Sequence, residues 1–347
     1  MPRFSPQHLT AEIAAIVRLA GSTREEADRV AANLVEANLQ GHDSHGVGMI
    51  PHYVAAIRQG GLRPNSDATL VADHSAILVF DGNSGYGQTI GAQVIAAGIA
   101  RAKETGACIL SLRNTHHLAR IGAWAEQAAA AGLVSIHFVN AFFRPLVAPW
   151  NGVDPKMGTN PFCVGVPRKD HPPVVLDFAT SAIAVGKARV AHNTGKALEP
   201  GMVVDAAGNP TTDPACMIEA PFGALLPFGR HKGGGLALIC SLLGGALTGG
   251  PTERVTKPGE MRVLNGMLSI LLDPTMLGGA DSFLDEIEAF LPWVRQSRTV
   301  QGEEILFPGE PEQRRRAERS RDGIEVDEET WRQLREVRAD LEANPVA

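Results

Sequence analysis

A chain of 347 residues with 44% hydrophobic and 20% charged side chains has material for a large core and exceeds the size at which one core keeps growing, so two lobes with a cleft between them are expected. The formal charge of −6 supplies no basic surface for a phosphate backbone, which argues against nucleic acid as a partner. The opening MPRFSPQHLTAEIAAIV lacks a signal peptide's apolar run, and no window approaches the ~20 apolar residues of a membrane span, so a cytoplasmic protein without a membrane partner is expected.

Residues 9–39 read as two amphipathic helices, the first ending on Gly21 and the second opening on Ser22 as N-cap with Glu25 completing a capping box. The segment GHDSHGVGMIPHY follows at the end of that helix, with His42, His45 and His52 close together. Then come a strand (AILVFDG), a glycine-rich turn (NSGYGQ), a helix (TIGAQVIAAGIARAKETG) and a strand (ACILSLRN). Gly85, Gly87 and Gly91 form GxGxxxG, one residue longer than the dinucleotide fingerprint. No acidic residue ends the next strand, so the run reads as a turn and a well-packed helix and not as a Rossmann site.

A helix (IGAWAEQAAAAG), a strand (LVSIHFVNA), a Pro/Gly-rich loop and two strands (CVGVP, VVLDFATS) continue the chain. The segment GKALEPGMVVDAAGNPTTDP reads as surface loop with a short strand, and LALICSLLGGALTGG as an apolar helix. The charged tail from Glu312 reads as solvated terminal helix. Cys108, Cys163, Cys216 and Cys240 stand far apart with no CxxC pair and read as small buried apolar residues.

His42, His45, His116, His117 and His231 are enough to supply a metal, but no HExxH-like spacing is present and no metal site is expected. A metal-dependent enzyme built on these five histidines stays as the competing reading. Ser44 beside His45 has no GxSxG elbow to make a nucleophile. The third option is proton transfer by His45 next to a bound redox cofactor, with Gly46 allowing close approach and Ser44 within hydrogen-bonding reach. Small polar nodes at loop positions, NTHHLARIG, GTNPF, DFATS, GRHKGGG and FPGEPE, add weight to a ligand-binding reading.

Taken in order, HDSHGVGMIPHY, NTHHLARIG, GTNPFCVGVPRKD, LDFATSAIAVGK, GNPTTDP, HKGGGLAL, LNGM and LFPGEPE resemble the malate/L-lactate dehydrogenase family, whose fold is not Rossmann and which includes sulfolactate, ureidoglycolate, diketogulonate and piperideine-carboxylate oxidoreductases. The resemblance implies an α/β (α+β type) chain: a helical lobe from residues 1–75 and 308–347, and a mixed-sheet cofactor domain over 76–307 with a loop-rich subdomain around 185–225. It implies a homodimer that reduces 2-oxo acids to 2-hydroxy acids with NAD or NADP. His45 would be the proton donor and acceptor, Ser44 would orient it, and His117 would be a second catalytic histidine. Cofactor contacts would come from His45, Ala119, Arg120, Ile121, Val175, Leu176, Asp177, Phe178, Ala179, His231, Lys232, Asn265, Gly309, Glu310, Pro311 and Glu312. Arg120 and Lys232 are cations suited to a pyrophosphate or carboxylate, and Thr159 and Asn160 sit in a turn from which they would donate to substrate.

Two positions depart from the family pattern. Met49 stands where many relatives carry an arginine, which favours an apolar or aromatic 2-oxo acid. Lys187 stands where imine-reducing relatives place an aspartate, which lowers the expectation of cyclic imine reduction, the other competing reading.

Overall fold

A computed structural model describes residues 2–142, 144–193, 195–254 and 263–346. The chain opens with a two-residue strand β1 (Arg3–Phe4) and helices α1 (Pro6–Leu19) and α2 (Arg24–Leu39). The cap of α2 lies one residue later than the spacing predicts: the Thr23 hydroxyl accepts from the Glu26 amide, while the Ser22 hydroxyl donates to the Glu26 carboxylate. Two short 3₁₀ turns, Asp43–His45 and Val47–Met49, lead into α3 (Ile50–Arg58).

The middle of the chain supplies β2 (Thr69–His74), β3 (Ile77–Asp81), α4 (Gly87–Thr105), β4 (Ala107–Thr115), α5 (Gly122–Ala130), β5 (Val134–Phe142), β6 (Phe162–Val166) and β7 (Val174–Phe178). After α6 (Val185–Asn193), the strands β8 (Val203–Val204) and β9 (Pro210–Thr211), helix α7 (Ala215–Ile218) and strand β10 (Ala224–Leu225) make a small separate unit. Helix α8 (His231–Cys240) runs on as a π-helical segment to Ala246, and β11 (Leu264–Leu272), α9 (Ala280–Arg295), α10 (Glu310–Asp322), β12 (Ile324–Glu325) and α11 (Glu328–Ala343) complete the order.

Among the described residues the main sheet has seven strands in the order β2-β3-β4-β11-β5-β6-β7. The β3–β4 pair is parallel and the remaining neighbours are antiparallel, so this is a mixed sheet and not a doubly wound parallel one. Residues 69–74, inside the stretch expected to be helical, pair instead with β3 at the sheet's edge. Strand β11 lies at its centre and is buried along most of its length.

Two cores result. One fills the space between sheet and α4/α5, with Ile90, Val94, Leu110, Leu112, Trp124 and Met267 among its members. The other gathers Leu9, Ile13, Val30, Leu34, Ile50 and Tyr53 from the first helices with Ile324, Leu334 and Leu341 from the last. The charged tail is therefore not merely a solvated helix. It is two helices divided by β12, which pairs with β1, and α11 buries two leucines in the lobe's core.

Candidate active site

The histidine segment is held from both sides. Asn38, near the end of α2, accepts the Val47 amide at 2.9 Å and donates to Asp43 at 2.6 Å. From α10, Arg319 clamps the same Asp43 carboxylate with two bonds of 2.7 and 3.0 Å. Gly46 is needed here because a Cβ at that position would stand 2.2 Å from Asn38 Oδ1. The loop thus turns against Asn38 and presents Ser44 and His45 together, with Ser44 Oγ 2.9 Å from His45 Nδ1.

His117 comes from the loop after β4 and faces His45, ring centroids 5.5 Å apart and planes 22° from parallel. Its Nδ1 lies 2.8 Å from the hydroxyl of Tyr53 on α3, and that hydroxyl accepts from Gln88 Nε2 at 2.9 Å. Gln88 is brought there by the start of α4, where Gly87 lies so near the His117 backbone that a Cβ would meet the carbonyl oxygen at 2.1 Å. The GxGxxxG glycine is thus a packing device. Neighbouring His116 is buried edge-on to Tyr53, with no hydrogen-bond partner for either ring nitrogen among the described residues.

Burial governs the electrostatics. It pushes His45 down to about 4, helped by the neighbouring His42 and Arg120, and pushes His116 to about 4 as well. His117 falls well below 6.5, mainly by burial and then through His45, His116 and His52. His52 is lowered by burial and then by Arg189. The Tyr53 phenol is raised by burial and stays protonated.

A second group of charges adjoins the pair. Arg120 is buried and forms an ion pair with Glu126. Asp177, on β7, accepts the Gly122 amide at 2.7 Å and so caps α5; burial raises its carboxyl, while that bond, Arg120 and His42 oppose the rise. Glu312, at the start of α10, lies 3.5 Å from His42, and that contact holds its carboxyl low. Ala119 sits at φ +58°, a left-handed conformation unusual for alanine, and the amide of the residue before it, Leu118, is fixed by Asn265 Oδ1 at 2.9 Å. Ile121, buried, leads into α5. Val175 is buried with its amide on the Pro308 carbonyl, Leu176 is exposed, Phe178 lies edge-on to Phe228, and Ala179 follows it half-buried. Gly309 is left-handed at the head of α10, Glu310 accepts the Phe307 amide, and Pro311 occupies the helix's first turn.

The sequence-predicted residues are not all gathered here. His231 and Lys232 stand exposed in the first turn of α8, and no described contact joins them to the histidine pair. Asn160 is fully buried: its amide nitrogen meets Glu253 at 2.6 Å and Ser241 at 2.8 Å, and its oxygen accepts the Ala141 amide. That leaves the Asn160 side chain no donor for a substrate; it ties its own segment to β5, Ser241 and Glu253 instead. The Thr159 carbonyl accepts the Thr180 amide and hydroxyl. Met49 is half-buried against the helical lobe's core. Among the described residues no three His, Cys, Asp or Glu side chains come together as a metal site. Tyr53, Gln88, Asn38 and Arg319 were not singled out from sequence, although Tyr53 ends the histidine segment itself.

A family model described as malate/L-lactate dehydrogenase matches residues 4–335. Hydroxycarboxylate dehydrogenase B of Escherichia coli is 46% identical over 334 residues, covering 96% of this chain and 92% of the relative. An L-lactate dehydrogenase of Cupriavidus necator is 40% identical over 318 residues, covering 91% of each. A solved structure of a putative malate/lactate dehydrogenase from E. coli superposes with a TM-score of 0.95 at 45% identity, covering 98% of this chain and 96% of the other.

Proposed function

Because the chain belongs to the malate/L-lactate dehydrogenase family, we propose that it catalyses the reversible NAD(P)H-dependent reduction of 2-oxo acids to 2-hydroxy acids, with His45 as the group that gives and takes the proton. The observation that carries this is the facing pair His45 and His117, each with Nδ1 against a hydroxyl, which leaves each Nε2 without a partner among the described residues and available to a ligand.

The residues present fit a dinucleotide. A cavity of about 580 Å³ is lined by Val175, Gly309, Glu36, Gln40 and Glu126, the last being the partner of Arg120. Gln40 keeps a buried amide oxygen without a donor. Ribose hydroxyls are donors of the kind that oxygen and the two carboxylates accept. Ala119 to Ile121, Val175 to Ala179 and Gly309 to Glu312 would hold the cofactor, which supplies or takes the hydride when bound. His45, neutral in the free site, takes the hydroxyl proton of a 2-hydroxy acid. In the reverse direction an anionic substrate raises its proton affinity and it delivers that proton to the ketone oxygen. Ser44 orients the imidazole from Nδ1.

The substrate reading rests on Met49, an apolar residue that stands where the resemblance puts a carboxylate-binding cation and that packs half-buried against the helical lobe's core. Four free cysteines, three of them buried, agree with a reducing cytoplasm. A homodimer is supported by exposed apolar side chains on α8 and its extension, Leu238, Ile239, Leu242 and Leu247.

A panel of 2-oxo acids and cyclic imines, followed by NADH and NADPH oxidation, tests the reading. Turnover of 2-oxo acids, with phenylpyruvate used more efficiently than oxaloacetate, is expected. Turnover restricted to imines would replace the reaction, and a clear preference for oxaloacetate would remove the Met49 argument alone.

A further inference from the structure

The two facing histidines are held by hydroxyls of different character. Ser44 is half-buried and its hydroxyl rotates, able to donate to or accept from His45 Nδ1. Tyr53 is fully buried in the helical lobe's core, and Gln88 Nε2 already donates to its oxygen. Gln88's amide is oriented by the same accounting. As placed, one N–H donates to Tyr53 and the carbonyl oxygen has no partner among the described residues, whereas turning it would leave both amide N–H groups buried without an acceptor, the rarer and costlier defect. With Gln88 donating, the phenol's one proton goes to His117 Nδ1. A neutral imidazole that accepts at Nδ1 carries its hydrogen on Nε2.

We propose that Tyr53, held by Gln88, is a positioning residue that locks His117 as its Nε2–H tautomer, so that His117 only donates a hydrogen bond to the substrate oxygen while proton exchange is left to His45. The division of labour rests on the reading of the site as a 2-oxo-acid reductase; the tautomer does not. A locked imidazole donor aimed at the reacting oxygen stabilises developing negative charge without changing its own protonation state. Burial, which keeps His117 neutral, agrees with this role. On the other side, the Ser44 hydroxyl accepts from His45 Nδ1–H in both protonation states, which leaves Nε2 as the atom that takes and gives the proton.

The test is nitrogen NMR of the full-length protein labelled at histidine, without substrate, with His117 assigned through a His117→Gln variant. The wild type should show His117 as the Nε2–H tautomer, and Tyr53→Phe should shift it to a mixture while the fold, read by circular dichroism, is kept. In turnover, Tyr53→Phe should lower kcat by the value of about one hydrogen bond, roughly tenfold, with a smaller change in KM. An Nδ1–H tautomer in the wild type overturns the proposal, and so does a Tyr53→Phe spectrum identical to wild type. Should Tyr53→Phe fail to fold, the wild-type spectrum and Gln88→Met decide, the latter being expected to give mixed tautomers. Because the spectra need no substrate, a protein that reduces no 2-oxo acid defeats the proposed reaction and leaves the tautomer result standing.

Discussion

His45 is set apart from the other histidines by its company more than by its identity. Replacing it with alanine should reduce turnover by roughly 10²–10⁴, the usual loss for a positioned acid–base group, while dinucleotide binding measured by fluorescence titration persists. Near-wild-type turnover would remove the assignment. The pH dependence has a definite sign. Oxidation of a 2-hydroxy acid needs His45 neutral, and a group lowered from 6.5 to about 4 is neutral above that lower value. The acid limb of kcat/KM for oxidation should therefore lie well below pH 6.5, toward 4, and a limb at the ordinary histidine position would contradict the burial. At this scale the sequence exposed His45, Ser44 and His117 because they stand in short motifs. Tyr53 escaped because its partner is 64 residues away. Asn160 reads from the sequence as a turn residue, and its bonding to Glu253, 93 residues on, has no local trace.

Elements were legible where periodicity was local. The α4–β4–α5–β5 run alternates clearly between helical and strand patterns, and its ends lie within two residues of those read from the sequence. β11 was not recognised as a strand, since LNGMLSILL is buried on both faces at the centre of the sheet and shows no alternation. Helix α9, ADSFLDEIEAFLPWVR, carries a readable amphipathic period and was overlooked. The junction of α4 with the loop after β4 offers its own test. In Gly87→Ala the new methyl meets the His117 carbonyl oxygen at 2.1 Å, an atom that cannot yield without moving the loop. Urea unfolding should show a loss of about 1–3 kcal/mol, the usual cost of overpacking, and His117 should lose its alignment with His45. Unchanged stability and activity would mean that this approach is softer than its geometry indicates.

For the whole molecule, length predicts two lobes, periodicity makes the first of them helical and the resemblance adds residues 308–347 to it, while the tail's charge pattern by itself gives no sign that α11 supplies Leu334 and Leu341 to the core. In the proposed homodimer the exposed apolar side chains along α8 and its extension would form the interface. Leu242→Glu, at a residue 45% exposed, should leave the fold intact and shift the sedimentation coefficient from dimer to monomer; a dimer unaffected by the charge would place the interface elsewhere.

The pairing of Arg3 with Glu325 joins points 322 residues apart. Strand β12, the Arg319 clamp on Asp43 and the Glu312 contact to His42 all come late in the chain, whereas the residues they hold come early. On a ribosome, which releases a chain from its N-terminal end, the sheet's pairings are complete before α10 is available, and the segment carrying His45 waits for its clamp until the last helices emerge. The order of synthesis thus makes the His45 segment the final piece to be fastened, and a chain stopped before α10 would carry its sheet strands without the Arg319 and Glu312 contacts that hold that segment.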